Sequence, residues 1–190
     1  MPPRQRITRG MILDAALALT RTEGIGAVNA RSVAKFLGCS TQPVFSQFAT
    51  MEALRRATFD HAGRVIMEKI LQYQDRPDFL QRTDELVLNL ARDEPRLFHL
   101  LYLSDSFESR NLWEVMMDWE CNRKLVAALA ERYGLGEEDC RDIFLRGYLL
   151  LHGVAAMIAT NQMDFTNQQA LDMVRRTVGD MVCGARKEEP

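Results

Sequence analysis

Val28-Asn29-Ala30-Arg31-Ser32-Val33-Ala34-Lys35-Phe36-Leu37-Gly38-Cys39-Ser40-Thr41-Gln42-Pro43-Val44-Phe45-Ser46-Gln47-Phe48 divides into two short helices around a glycine turn. Asn29 is placed to cap the first, over about Ala30 to Leu37, because its side-chain oxygen can accept from N–H groups that have no intrahelical partner. Val33, Ala34 and Leu37 share one side of that helix, and Ala34 is small enough to let a neighbouring helix come close. Gly38 supplies a backbone geometry that a side chain would make costly. Ser40 is placed to cap the next helix, about Thr41 to Gln47, and Pro43 is tolerated in its first turn. Val44 and Phe48, four apart, face inward as anchors. Thr41, Gln42, Pro43, Ser46 and Gln47 are left on the outer side, so the pattern is that of a helix-turn-helix unit. Such a helix can enter a major groove, where Gln pairs with adenine and Thr or Pro touches a thymine methyl.

The residues around this unit point the same way. Residues 1–56 hold eight basic side chains against three acidic ones, a formal +5; the rest of the chain holds 16 against 23, a formal −7. A basic head on an acidic body implies an anionic partner for the head alone. Candidate phosphate contacts are Arg4, Arg6, Arg9, Arg31, Lys35 and Arg55, with backbone N–H groups at the start of the third helix. Upstream, Thr8 can cap a helix over about Arg9 to Thr22, with Ile12, Ala16 and Leu19 on one face and Gly24 as its stop.

The remainder reads as helical throughout, because β-branched runs with period-2 alternation are missing. Thr50 can cap a fourth helix to about Tyr73, and Asp75-Arg76-Pro77-Asp78 interrupts the pattern. A fifth helix reaches about Asp93, and a sixth runs from Glu94-Pro95 to about Leu103. Ser104-Asp105-Ser106 links to a seventh, about Asn111 to Tyr133. Gly134-Leu135-Gly136 is a stop, an eighth helix covers about Glu138 to Thr160, and a ninth covers about Asn167 to Cys183. The expected fold class is therefore all-α, with about nine helices.

Hydrophobic residues make up 47% and charged residues 26% of the chain, the balance of a chain that can build its own core. Cys39, Cys121, Cys140 and Cys183 show no C-x-x-C spacing, so reduced thiols are expected rather than a metal site or disulfide framework. Met1 to Gly10 is polar and basic and does not resemble a signal peptide. No uncharged apolar run reaches the roughly 18–20 residues of a membrane span, Arg146 to Thr160 coming nearest. The expected location is cytoplasmic, with no membrane partner. No Gly-rich phosphate loop, G-x-S-x-G, H-E-x-x-H or paired-Cys motif occurs. No enzyme activity, no cofactor and no metal are expected.

The segment from Val28 to Phe48, followed by Glu52 and Leu54, resembles the DNA-binding region of the TetR family of bacterial transcriptional regulators. The upstream Ile12-Leu13-Asp14-Ala15-Ala16-Leu17 and Gly24 are similar to that family's first helix and its end. The order helix, glycine, Arg-x-x-Ala, Gly-x-Ser, Phe-x-x-Phe is specific, and the match covers about residues 8–55. Three positions depart from the family pattern: Phe45 stands where Tyr is usual, Gln47 where His is frequent, and Met51 where Lys is frequent. Phe45 offers no hydroxyl and Met51 no charge, which shifts phosphate binding towards the arginines, Lys35 and backbone N–H groups, with Ser40 and Phe45 kept among the candidate DNA contacts.

The resemblance implies a head over residues 1–50 and a helical body over 51–190 that binds a small-molecule effector and dimerises. Candidate cavity residues are Phe98, Leu101, Tyr102, Trp113, Met116, Met117, Tyr148 and His152, among the fourth to eighth helices; at helical spacing such residues are more often core. The eighth helix is apolar round most of its circumference and must be covered on most sides. With the ninth it can pair across a two-fold axis as a four-helix bundle, with Gly153, Ala156, Met157, Val174, Val178 and Met181 as candidate interface residues. The implied partners are double-stranded operator DNA, a second copy of the chain and an unknown effector. The alternative is a helical ligand-binding or interaction protein with weakened DNA binding, which Phe45, Gln47 and Met51 favour.

Overall fold

Thr8 accepts from the N–H of Met11 and opens helix α1 (Arg9–Glu23), and Gly24 closes it at a φ of 89°. In this computed structural model, which describes residues 6–104, 111–161 and 165–188, ten α-helices follow one another and no strand occurs among the described residues. Arg4, and Asp105 and Ser106 of the expected linker, lie outside the described residues.

A single 3-10 turn (Ile25–Ala27), not foreseen from the sequence, leads into α2 (Ala30–Phe36). Asn29 accepts from the N–H groups of Arg31 and Ser32, while the Ser32 hydroxyl accepts from the Asn29 N–H, a reciprocal capping box. Gly38 takes a φ of 64° and turns the chain into α3 (Gln42–Gln47). The expected Ser40 cap is corrected here: Thr41 occupies the N-cap position, and no side chain caps α3. Thr41 nevertheless starts the helix through its carbonyl, which accepts from Val44 and Phe45.

Thr50 caps α4 (Met51–Leu71), and α5 spans Phe79–Asp93. A short α6 (Pro95–Phe98) continues into a π-helical turn over His99–Leu103. The expected seventh helix is two helices, α7 (Leu112–Met117) and α8 (Glu120–Tyr133). Trp119 adopts an extended backbone between them, and its ring lies over Gly63 of α4, where a Cβ would come within 2.2 Å of it. The Asn122 amide donates to the Met116 carbonyl at 2.8 Å and satisfies the broken end. α9 (Glu137–Thr160) and α10 (Asn167–Glu188) complete the chain. α9 reaches a mean hydropathy of 1.6 and is long and apolar enough to cross a membrane by length and composition. In the fold it packs on α5, α8 and α10.

Buried apolar residues form two clusters. The smaller one joins α1, α2, α3 and the start of α4 around Ile12, Ala16, Val28, Val33, Val44, Phe48 and Leu54. The larger one fills the space between α4 and α10. α1 belongs to both, because Leu17 packs into the larger cluster. Polar contacts reinforce that junction: Asp14 meets His61 at 2.8 Å, Arg21 pairs with Glu94 at 2.6 Å, and the Arg96 guanidinium donates to the Thr22 carbonyl.

Candidate DNA-reading head and ligand cavity

Val44 and Phe48 are 0% and 2% exposed, and they fasten α3 against α1 and α2. With those two inward, Gln42, Phe45, Ser46 and Gln47 are exposed, while Thr41 and Pro43 are half-buried at the start of the helix. Ser40, Arg31 and Lys35 are exposed beside them. Ser46 spends its hydroxyl on the Pro43 carbonyl at 2.8 Å, which leaves its oxygen as an acceptor on the outer face. Phe36 and Phe45 are 56% and 54% exposed, two large apolar rings left open on the head. Phe36 was not singled out from the sequence; its place beyond the Val33–Ala34–Leu37 side was the available signal.

The basic residues fall into two groups. Arg6, Arg31 and Lys35 have exposed side chains. Arg9 is engaged internally: its guanidinium lies 4.1 Å from the Phe48 ring centroid and donates to the Gln47 carbonyl at 3.0 Å. It therefore ties the end of α3 to the start of α1. Arg55 donates through Nε to the Val28 carbonyl at 3.3 Å and stays exposed otherwise.

In the body, α4, α5, the π-turn, and α7 to α10 enclose a cavity of about 520 Å³. That lies within the range of small-molecule sites, roughly 300–1,000 Å³. Of the residues expected to line it, Leu101, Tyr102, Met116, Tyr148 and His152 do so. Phe98, Trp113 and Met117 do not, which corrects that expectation. Phe98 is fully buried behind the wall, its ring 5.0 Å from that of Tyr102. Trp113 packs edge-on against Phe144 and carries the Arg141 guanidinium over its ring at 4.8 Å. Met117 packs against the core.

α10 also lines the cavity, through Leu171, Val174, Arg175 and Val178. This corrects the expectation that only the fourth to eighth helices contribute. Gly147 on α9 allows the approach, since a Cβ there would meet Val178 at 3.3 Å. Val174 is 4% exposed, so it belongs to the chain's own interior and is unavailable to a partner. Val178 is half-buried and packs close to Gly147. Gly153 and Met157 point outward, Met157 being 49% exposed, while Ala156 and Met181 are half-buried. Leu149 and Met173, 54% and 42% exposed, extend the open apolar surface of α9 and α10.

The cavity is mostly apolar, with a few polar groups that sequence reading passed over. Asp84 on α5 is foremost. Burial raises its carboxyl to about 7, opposed by the charge of Arg175. Trp119 and Asn122 also line it, brought in by the α7–α8 break. Asp84 lies inside an ordinary amphipathic helix pattern, so no local signal marked it. Burial also raises the Tyr102 and Tyr148 phenols and lowers His152 to about 4. Tyr148 and His152 stack at 3.8 Å, and Tyr102 tilts against His152 at 4.7 Å. Among the described residues, no group of three or more His, Cys, Asp or Glu could hold a metal ion, and all four cysteines are free thiols.

No protein-family model and no curated protein matches the sequence. The fold does match solved structures. One is a protein of Pseudomonas aeruginosa PAO1 provisionally described as a transcriptional regulator, with a TM-score of 0.65 at 16% identity over 100% of this chain and 96% of that one. Another is described as a TetR transcriptional regulator from Rhodococcus sp. RHA1, with a TM-score of 0.54 at 16% identity over 92% of this chain and 96% of that one. The chain thus has the all-α fold of solved structures described as transcriptional regulators.

Proposed function

We propose that the chain is a DNA-binding transcriptional regulator of the TetR kind, a repressor that binds a roughly palindromic operator as a homodimer and is released by a small-molecule effector. The observation that carries this reading is the head: Val44 and Phe48 are buried while Gln42, Phe45, Ser46 and Gln47 stand open on a basic surface. Exposed Gln side chains suit adenine edges, and Phe45 suits a thymine methyl or sugar. Arg6, Arg31, Lys35 and Arg55 supply phosphate contacts, with Arg9 positioning α3 rather than touching DNA. Residues 1–50 form the head and 51–190 the body, with Leu17 and Leu54 as the cross-over contacts.

A second copy would cover the exposed strip of Leu149, Gly153 and Met157 with Met173 of α10. Two heads related by a two-fold axis then fit half-sites about one helical turn, roughly 34–36 Å, apart. Effector binding must favour a body arrangement whose heads no longer fit that spacing, since only differential affinity between the two states moves the equilibrium. Arg21–Glu94 and Arg96–Thr22 connect α6, next to the cavity wall, to the head. A regulator of this kind works in the cytoplasm and needs no catalysis.

The test is fluorescence anisotropy of the full chain on DNA from upstream of its own gene. Arg31→Ala should weaken binding to every duplex and lower the salt slope by about 1, as for one lost phosphate contact. Gln42→Ala should cost about 1–3 kcal/mol on the preferred sequence only. Arg9→Ala should weaken binding without lowering the slope. Unchanged binding by the Arg31 and Gln42 variants would favour the rival reading, a helical ligand-binding protein that has lost its operator.

A further inference from the structure

The polar atoms that wall an apolar cavity limit what can fill it, because a buried group left unpaired is costly. His152 sets the sharpest limit. Its Nδ1 lies 2.9 Å from the Tyr148 carbonyl oxygen, and a carbonyl can only accept, so Nδ1 carries the proton. Burial keeps the ring neutral at physiological pH. Nε2 therefore carries the lone pair and can only accept. It is sealed from solvent and has no hydrogen-bond partner among the described residues. Tyr102 and Tyr148 stand on either side, both on the cavity wall, and their phenols stay protonated because burial raises them. Each hydroxyl can donate and accept. Phe144, 6.0 Å from Tyr148, and Phe98, 5.0 Å from Tyr102, extend this into a ladder of rings.

We infer that the cavity recognises an apolar ring compound through a hydroxyl group, which donates to Nε2 of His152 and accepts from the hydroxyl of Tyr102 or Tyr148. The inference rests on the reading of the cavity as the effector site. A hydroxyl performs both roles at one atom. An ether or ketone cannot donate, and an ammonium cannot accept. A ring suits the part of the wall built by Tyr102, His152 and Tyr148, where offset-stacked and edge contacts are the favoured ones. Nε2 is closed off from solvent, so a neighbouring ring must move aside for a ligand to reach it. Tyr102 and Tyr148 are the rings in contact with the imidazole, 4.7 Å and 3.8 Å from it. Tyr102 sits in the π-helical turn that continues α6, the helix whose Arg96 grips the end of α1. Asp84, elsewhere on the wall, would attract an ammonium, but the nearby charge of Arg175 opposes that.

Calorimetric titration of the full chain at pH 7 with 2-naphthol, 2-methoxynaphthalene and 1-naphthylmethylamine tests this. 2-Naphthol should bind at least about tenfold more tightly than its methyl ether, the size of one buried hydrogen bond. His152→Phe should remove that preference while leaving the ether's affinity within about twofold. Tyr102→Phe and Tyr148→Phe read the accepting half, and the preference should narrow in one of them, which keeps the test decisive if the His152 variant fails to fold. Equal affinity for naphthol and ether, tighter binding of the amine, or a preference that survives His152→Phe overturns the inference. If none of the three probes binds, the effector reading falls with it. If naphthol is preferred by a chain that binds no DNA, the inference stands and the regulator reading falls.

Discussion

Asp84 is a carboxyl placed where its charge is poorly solvated, and the consequence can be read in stability. Burial lifts it to about 7, against about 3.9 for a carboxyl in an unfolded chain. Between those values the folded chain holds a proton that the unfolded chain has released. Stability contributed by this group therefore falls as pH rises through that window, and the loss is complete above about 7. Asp84→Asn should raise the melting temperature at pH 8, by roughly 2–4 °C for each 1 kcal/mol recovered, and the gain should vanish near pH 4. A gain of equal size at both pH values would show that the carboxylate is not the cause. His152 acts in the opposite sense: its lowered value favours the folded state above about 6.5 and withdraws that support as pH falls towards 4. Comparing the Asp84 variant with the wild type at each pH isolates the one from the other. Single residues of the head were the most legible part of the sequence. Asn29 and Gly38 act through near neighbours, and the four-residue spacing of Val44 and Phe48 marks the inward side of α3. Arg9 shows the limit: its basicity was legible, but its bond to Gln47, 38 positions away, was not.

Helix ends followed caps and glycines closely, because those signals are local: Thr8, Asn29 and Thr50 each accept the backbone N–H groups expected of them. The break between α7 and α8 had no such signal. Helical periodicity runs through Met117-Asp118-Trp119-Glu120, and the interruption comes from Trp119 reaching Gly63, on a helix far away in sequence. The same contact puts Trp119 on the cavity wall. Gly63→Ala sets two effects against each other. Alanine in a helix gains about 1 kcal/mol over glycine, whereas a Cβ 2.2 Å from Cη2 of Trp119 forces the ring out, an overpacking cost of about 1–3 kcal/mol. The clash should win, with a lower denaturation midpoint and a red-shifted tryptophan emission. A stabilised variant with unchanged emission would mean that the two helices part without cost. The contribution of α10 to the cavity was hidden for a related reason. The spacing of Val174 and Val178 shows an apolar face but not whether it turns towards its own chain or towards a partner. Gly147 on α9 decides in favour of the chain itself.

Across the whole molecule, two cores share one helix. α1 packs beneath the two short helices α2 and α3 and sends Leu17 into the larger core, and its far end is held by Arg21–Glu94 and Arg96–Thr22. On the proposed reading, a movement of the π-helical turn at the cavity wall reaches α3 through α6 and α1. Charge follows the same division, with the basic residues of the head distinct from an acidic body. On the proposed reading, a second copy covers the open apolar strip of α9 and α10, and its two-fold symmetry is written into the DNA it selects. Selection of duplexes by the full chain from a random-sequence library reads both properties at once. The account predicts enrichment of an inverted repeat with half-site centres about 10–10.5 base pairs, or a multiple, apart, and loss of that enrichment in a Gln42→Ala, Gln47→Ala variant that still folds. Absence of any enriched sequence, or an enriched motif that the variant selects equally well, would contradict it.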